Sequence, residues 1–130
     1  MSACEALLED FKEWRRLAEA ERLAIRSRNW RLALECQGSR RQLQGRIDAR
    51  IPAARCEWEA LGAAGEASRR ACREMLLSLA DHTARNRALI QRARESLQTR
   101  ISELVRAGQN LRRLQASYTV MPHGSWSSVS

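Results

Sequence analysis

Residues 86–118 read NRALIQRARESLQTRISELVRAGQNLRRLQASY, and this stretch decides the fold. Apolar or small residues recur at Leu89/Ile90, Ala93, Leu97, Ile101, Leu104, Leu111 and Leu114, mostly in steps of three and four. That is the spacing of one face of an α-helix. The same period runs backward through Cys72, Met75/Leu76, Leu79, Thr83 and Asn86. One helix is therefore expected from about residue 66 to about residue 117, roughly 78 Å long at 1.5 Å per residue. Gly108 is its weak point, at a cost of about 1 kcal/mol against alanine.

Upstream, Ser2-x-x-Glu5 is a capping box, in which serine and glutamate each satisfy a free N–H of the first turn. A stripe follows at Leu7/Leu8, Phe11, Trp14, Leu17/Ala18 and Ile25. It predicts a first helix over about 3–27, closed by Ser27-Arg28-Asn29, with Asn29 as N-cap of the next. The second stripe holds Trp30, Leu34, Leu43, Ile47, Ile51, Ala54, Trp58 and Leu61. It predicts a helix over about 30–62. Pro52 lacks a backbone donor and crowds the preceding turn, so a kink near Arg50–Ile51 is expected. Gly62-Ala63-Ala64-Gly65 reads as a C-cap and turn before the third helix.

Three helices joined by short turns make antiparallel neighbours. The expected fold is an all-α, antiparallel three-helix bundle or coiled coil. It has a long C-terminal helix, a single helical domain over 1–118 and a flexible tail over 119–130. Helix formers dominate the composition, and six glycines and two prolines are few for 130 residues. Helix two is long enough to cover helix three only to about residue 98. The remainder would overhang by about 28 Å and carry Ile101, Leu104, Val105, Leu111 and Leu114 without an internal partner.

The formal charge is +8, with 22 of the 23 basic residues arginine. Residues 1–25 hold six acids and four bases, while residues 61–118 hold five and eleven. Such a balance suits nucleic acid, anionic lipid or an acidic partner. The pairs Arg40-Arg41, Arg69-Arg70 and Arg112-Arg113 lack interleaved aromatics for base stacking. They read as solvated faces, and a nucleic-acid partner is not expected. The carboxylates, with arginines at helical spacing, read likewise. No apolar stretch approaches a membrane span, and no signal peptide precedes the first helix. A cytoplasmic protein is expected. Cys4, Cys36, Cys56 and Cys72 form no CxxC pair, so free thiols are expected, with no metal and no cofactor. His82 and His123 belong to no catalytic constellation, and no phosphate loop or nucleophile motif occurs, so no enzyme is expected.

Three features stand apart. Asn86 falls in the apolar stripe, where it either fixes register or rims the core and faces water. Trp14, Trp30 and Trp58 sit at helical core positions. Trp126, in the serine-rich tail, is either a docking anchor or an incidental end residue.

The chain resembles the FlgN family of flagellar type III export chaperones. The likeness rests on the polar turn RSRNW and on Trp30, Leu34, Gly38 and Gln42 with Arg40-Arg41 beside them. It rests most on Asn86–Ile90, Ala93-Arg94, Ser96–Leu104 and the closing Tyr118. The related filament-cap chaperones (FliT) share the Asn29-Trp30 start. The resemblance implies a cytosolic, ATP-independent chaperone. It would bind the C-terminal helices of hook–filament junction proteins and deliver them to the export gate. The implied roles are client binding at Leu97, Ile101, Leu104, Val105, Leu111 and Leu114, and a register motif at Asn86, Leu89 and Ile90. Gate docking would fall at Tyr118. A scaffolding coiled-coil homodimer is the competing reading of the same stripe, and a basic nucleic-acid binder is the third.

Overall fold

In a computed structural model, residues 2–119 are described, and they form α1 (Ala3–Arg26), α2 (Trp30–Leu61) and α3 (Ala63–Thr119). The described residues are all-α. The expected tail, with His123 and Trp126, lies outside them apart from Thr119, where α3 ends. The described residues divide after Ile90 into two units, 2–90 and 91–119.

The first unit is an up-down-up bundle whose register is written in its contacts. The Ala3 and Cys4 N–H groups donate to Glu57, and Arg40 donates to Glu21. Numbers that rise along α1 fall along α2, so the two are antiparallel. Trp14 Nε1 donates to Thr83 and Asn86 Nδ2 donates to Ala18 O, so α1 and α3 run parallel. Leu7, Phe11, Trp14, Leu17 and Ala18 of α1 form the core with Leu43, Ile47 and Ala54 of α2 and Cys72 and Leu79 of α3.

The ends of α1 follow the local chemistry. Ser2 Oγ accepts from the Glu5 N–H at 3.1 Å and the Ser2 N–H donates to Glu5 at 3.3 Å, which completes the capping box. At the other end, Asn29 N–H donates to Ala24 O at 2.8 Å and Arg28 N–H to Ile25 O at 3.1 Å. This is a Schellman closure, with Arg28 at φ 59° in the left-handed position usually held by glycine. Asn29 Oδ1 then accepts from the Leu32 N–H and caps α2.

Two expectations are corrected. The Gly62–Gly65 turn shrinks to Gly62, whose φ of 62° ends α2 while its carbonyl accepts from the Glu66 N–H. Thus α3 begins at Ala63, inside the stretch read as turn. Gly65 serves a different purpose: a Cβ there would lie 1.8 Å from Trp58 O, so its lack of a side chain lets α2 and α3 approach. The start of the α2 stripe is out of phase. Trp30 and Leu34 are exposed, and the small Ala33 and Cys36 take the buried positions. As read from the sequence, α2 is one helix through Pro52, which lies on an exposed face.

Against the expectation that carboxylates occupy solvated faces, Asp10 and Glu21 are buried. Asp10 is buried and accepts from Arg50 at 2.6 Å, with Arg46 at 3.2 Å; Arg50 also donates to Ala6 O. Glu21 is buried and accepts from Arg40 Nη1 through both oxygens at 3.2 Å. Eleven residues, close to three turns, separate the two carboxylates, so they share the α1 face toward α2. Apart from His82 and Glu19, the other pairs are the local ones the spacing predicts, such as Lys12–Glu9, Arg31–Glu35 and Arg85–Asp81.

Candidate functional site

The candidate surface is the helical stretch from Gln91 to Tyr118 in the second unit. Its sequence favours helix through Ala, Leu, Gln and Arg, and Gln91 donates to Glu95 one turn on. Thr99 Oγ1 turns back onto Glu95 O at 3.0 Å. The helix passes through Gly108 unbroken.

Leu97, Ile101, Leu104, Val105, Leu111 and Leu114 are each between 52% and 71% exposed. Isolated exposed leucines are ordinary, but six on one face of 18 residues form a contiguous patch. With about 100° between successive residues, Leu97, Ile101, Leu104 and Leu111 fall within about 80° of one another. Val105 and Leu114 mark the two edges. Tyr118 is half exposed at the end of the stripe and engages other groups of the chain. All six residues expected to meet a client therefore lie together on one accessible face.

Asn86, Leu89 and Ile90 belong elsewhere. Asn86 is completely buried in the first unit and donates to Ala18 O at 2.8 Å, while its Oδ1 has no partner among the described residues. Of the two readings left open, the water-facing one is excluded. A polar atom so buried must keep its one hydrogen bond, and that bond sets α3 against α1 at a single height. Leu89 and Ile90 pack against Ala24, Ile25 and Ala33 as core. His82, half-buried, lies 3.6 Å from Glu19.

Sequence reading did not find the cleft between the helices of the first unit. It measures about 150 Å³ and is lined by Cys4, Leu7, Phe11, Trp58, Cys72 and Met75, among others. Burial, with Glu57 beside it, pushes the Cys4 thiol up to about 11, and burial pushes Cys72 and Cys36 up as well. A raised thiol value means less of the thiolate that nucleophilic chemistry needs. Among the described residues no group of three or more His, Cys, Asp or Glu could hold a metal. Among them, too, no helix is long and apolar enough to cross a membrane.

Comparison with protein-family models, with curated proteins and with solved structures gave no match.

Proposed function

We propose that this chain is a cytosolic export chaperone that holds an amphipathic helix of its client on the face formed by Leu97, Ile101, Leu104, Val105, Leu111 and Leu114. One observation carries the reading: these six side chains are all exposed on one stretch of helix. Such a face accepts a second helix through anchors at helical spacing. The likeness to FlgN chaperones supplies the finer proposal. The client is the C-terminal helical region of a hook–filament junction protein, and Tyr118 is the contact for the export gate. No chemistry on the client is required, so the role is one of binding and delivery without catalysis.

The test is co-purification with flagellar junction proteins from the native cytosol, comparing the parent chain with Leu104→Asp/Leu111→Asp. Placing two carboxylates in the centre of an apolar interface costs at least about 3 kcal/mol, on the order of 100-fold in Kd. Capture by the parent and loss in the double variant is the expected result. Undiminished capture by a folded double variant would mean that the client binds elsewhere.

A further inference from the structure

The charges around the stripe narrow the partner further. Gln91–Tyr118 contains six arginines and two glutamates. Relative to Leu104 on the helical wheel, Arg94 and Arg112 fall about 80° to one side and Arg100 about 40° to the other. All three lie within the sector bounded by Val105 and Leu114. Glu95 falls on the opposite side, and Glu103 lies beyond the Leu114 edge. The stripe is thus apolar with only positive charge set into it.

Some of the first unit's arginines, though not all, are paired with carboxylates. Arg16, Arg22, Arg31, Arg69 and Arg85 each engage a carboxylate three or four residues away, and Arg40, Arg46 and Arg50 engage α1. Arg94, Arg100 and Arg112 form no ion pair with any described residue.

We infer that the occupant of this face is an acidic amphipathic helix, with carboxylates flanking its own apolar stripe and meeting Arg94, Arg100 and Arg112. The inference rests on the helix-binding reading above and adds the sign of the partner. Arg100 decides between candidates. It sits between Leu111 and Leu114 on the wheel, and between Leu97 and Leu104 along the axis, within the apolar sector, where closure of any apolar partner over it removes water. A carboxylate compensates that desolvation through paired hydrogen bonds. A second copy of this chain brings three arginines of its own and only Glu103, just beyond the Leu114 edge, to meet them. A membrane-surface helix places its basic residues on the polar side and its apolar side free of charge, which is not the arrangement of Arg100.

The test uses the full chain and two fluorescent helical peptides of about three heptads. Both carry leucine at the same apolar positions, one with glutamate and the other with lysine at the flanking positions. Anisotropy is read over a salt series, for the parent and for Arg94→Glu/Arg100→Glu/Arg112→Glu, with circular dichroism confirming that the variant is folded. Expected is about tenfold tighter binding of the acidic peptide, since rim pairs contribute modestly each, with the gap shrinking as salt rises. The preference inverts in the triple variant. Equal binding of both peptides overturns the inference about charge and leaves the helix-binding reading standing. Binding of neither peptide by folded chain overturns both. Retention on phosphatidylserine vesicles without peptide binding reassigns the face to a membrane. Concentration-dependent doubling of mass without peptide binding reassigns it to a second copy.

Discussion

Replacing Arg40 should destabilise the first unit far more than replacing any surface arginine, and more than replacing its partner Glu21. The asymmetry comes from burial. The Glu21 side chain is 2% exposed and receives both of its hydrogen bonds from Arg40, whose side chain is 14% exposed. In Arg40→Leu the carboxylate stays in the α1–α2 interface with no donor, a situation that costs about 3–5 kcal/mol. In Glu21→Leu the long arginine stem can carry its guanidinium out to water, so the loss falls to about 1–2 kcal/mol. The double variant Glu21→Leu/Arg40→Leu replaces the pair with apolar volume and should lie within about 1 kcal/mol of the parent, or above it. The cycle therefore yields a coupling of roughly 4–7 kcal/mol between two residues nineteen positions apart. Urea unfolding followed by far-ultraviolet circular dichroism at neutral pH measures all four proteins. Equal losses below about 0.5 kcal/mol for both single variants, the size expected of an exposed pair such as Lys12–Glu9, would refute the buried pairing.

Three further outcomes follow from local geometry. Gly65→Ala sets a Cβ against the Trp58 carbonyl, where backbone must move. A loss of about 3 kcal/mol is expected in the same unfolding assay despite alanine's better helix propensity, and a gain would show that the close approach is not required. Arg28→Gly relieves the left-handed position in the Schellman turn and should raise stability by about 0.5–1 kcal/mol, with an unchanged or lower midpoint counting against it. Glu57 is held below its ordinary 4.5 by hydrogen bonds from the Cys4 thiol and from the Ala3 and Cys4 N–H groups. A folded-state value below the unfolded one stabilises the fold above about pH 4.5, and this contribution disappears as the pH falls through the folded value. The difference in stability between the parent and Glu57→Gln should therefore be present at neutral pH and vanish on acidification; a difference that ignores pH would exclude the carboxylate as the source.

Features set by a residue and its near neighbours in the chain were legible. The capping box at Ser2 and Glu5, the Asn29 cap and the core stripe of α1 all read directly from spacing. The exposed face at Leu97–Leu114 was legible for the same reason, since its period is local. Features set by the meeting of two helices were not. Asp10 and Glu21 look like surface acids until antiparallel α2 brings Arg50, Arg46 and Arg40 opposite. Gly65 looked like part of a turn because a second glycine stood three residues before it, whereas its purpose depends on Trp58 across the interface. At the start of α2, residue size misled. Trp30 and Leu34 are the larger apolar groups, but close packing favoured Ala33 and Cys36 on the next phase of the helix. Asn86 was recognised as out of place in the stripe, and only the Ala18 carbonyl decides what it does.

The one-residue link at Gly62 has a consequence for the order in which the chain organises. Trp58 and Gly65 meet across a loop of only a few residues, so little chain entropy is lost in bringing α2 and α3 together. The Ser27–Asn29 link is nearly as short, and Ala24 and Ile25 pack with Ala33 across it. The contacts of α1 with α3 close far longer loops, since Trp14 reaches Thr83 and Ala18 reaches Asn86. Either hairpin can thus form early, and the seam between α1 and α3 is the portion that closes last. Lengthening either link with a flexible insert should slow refolding more than weakening the α1–α3 seam does.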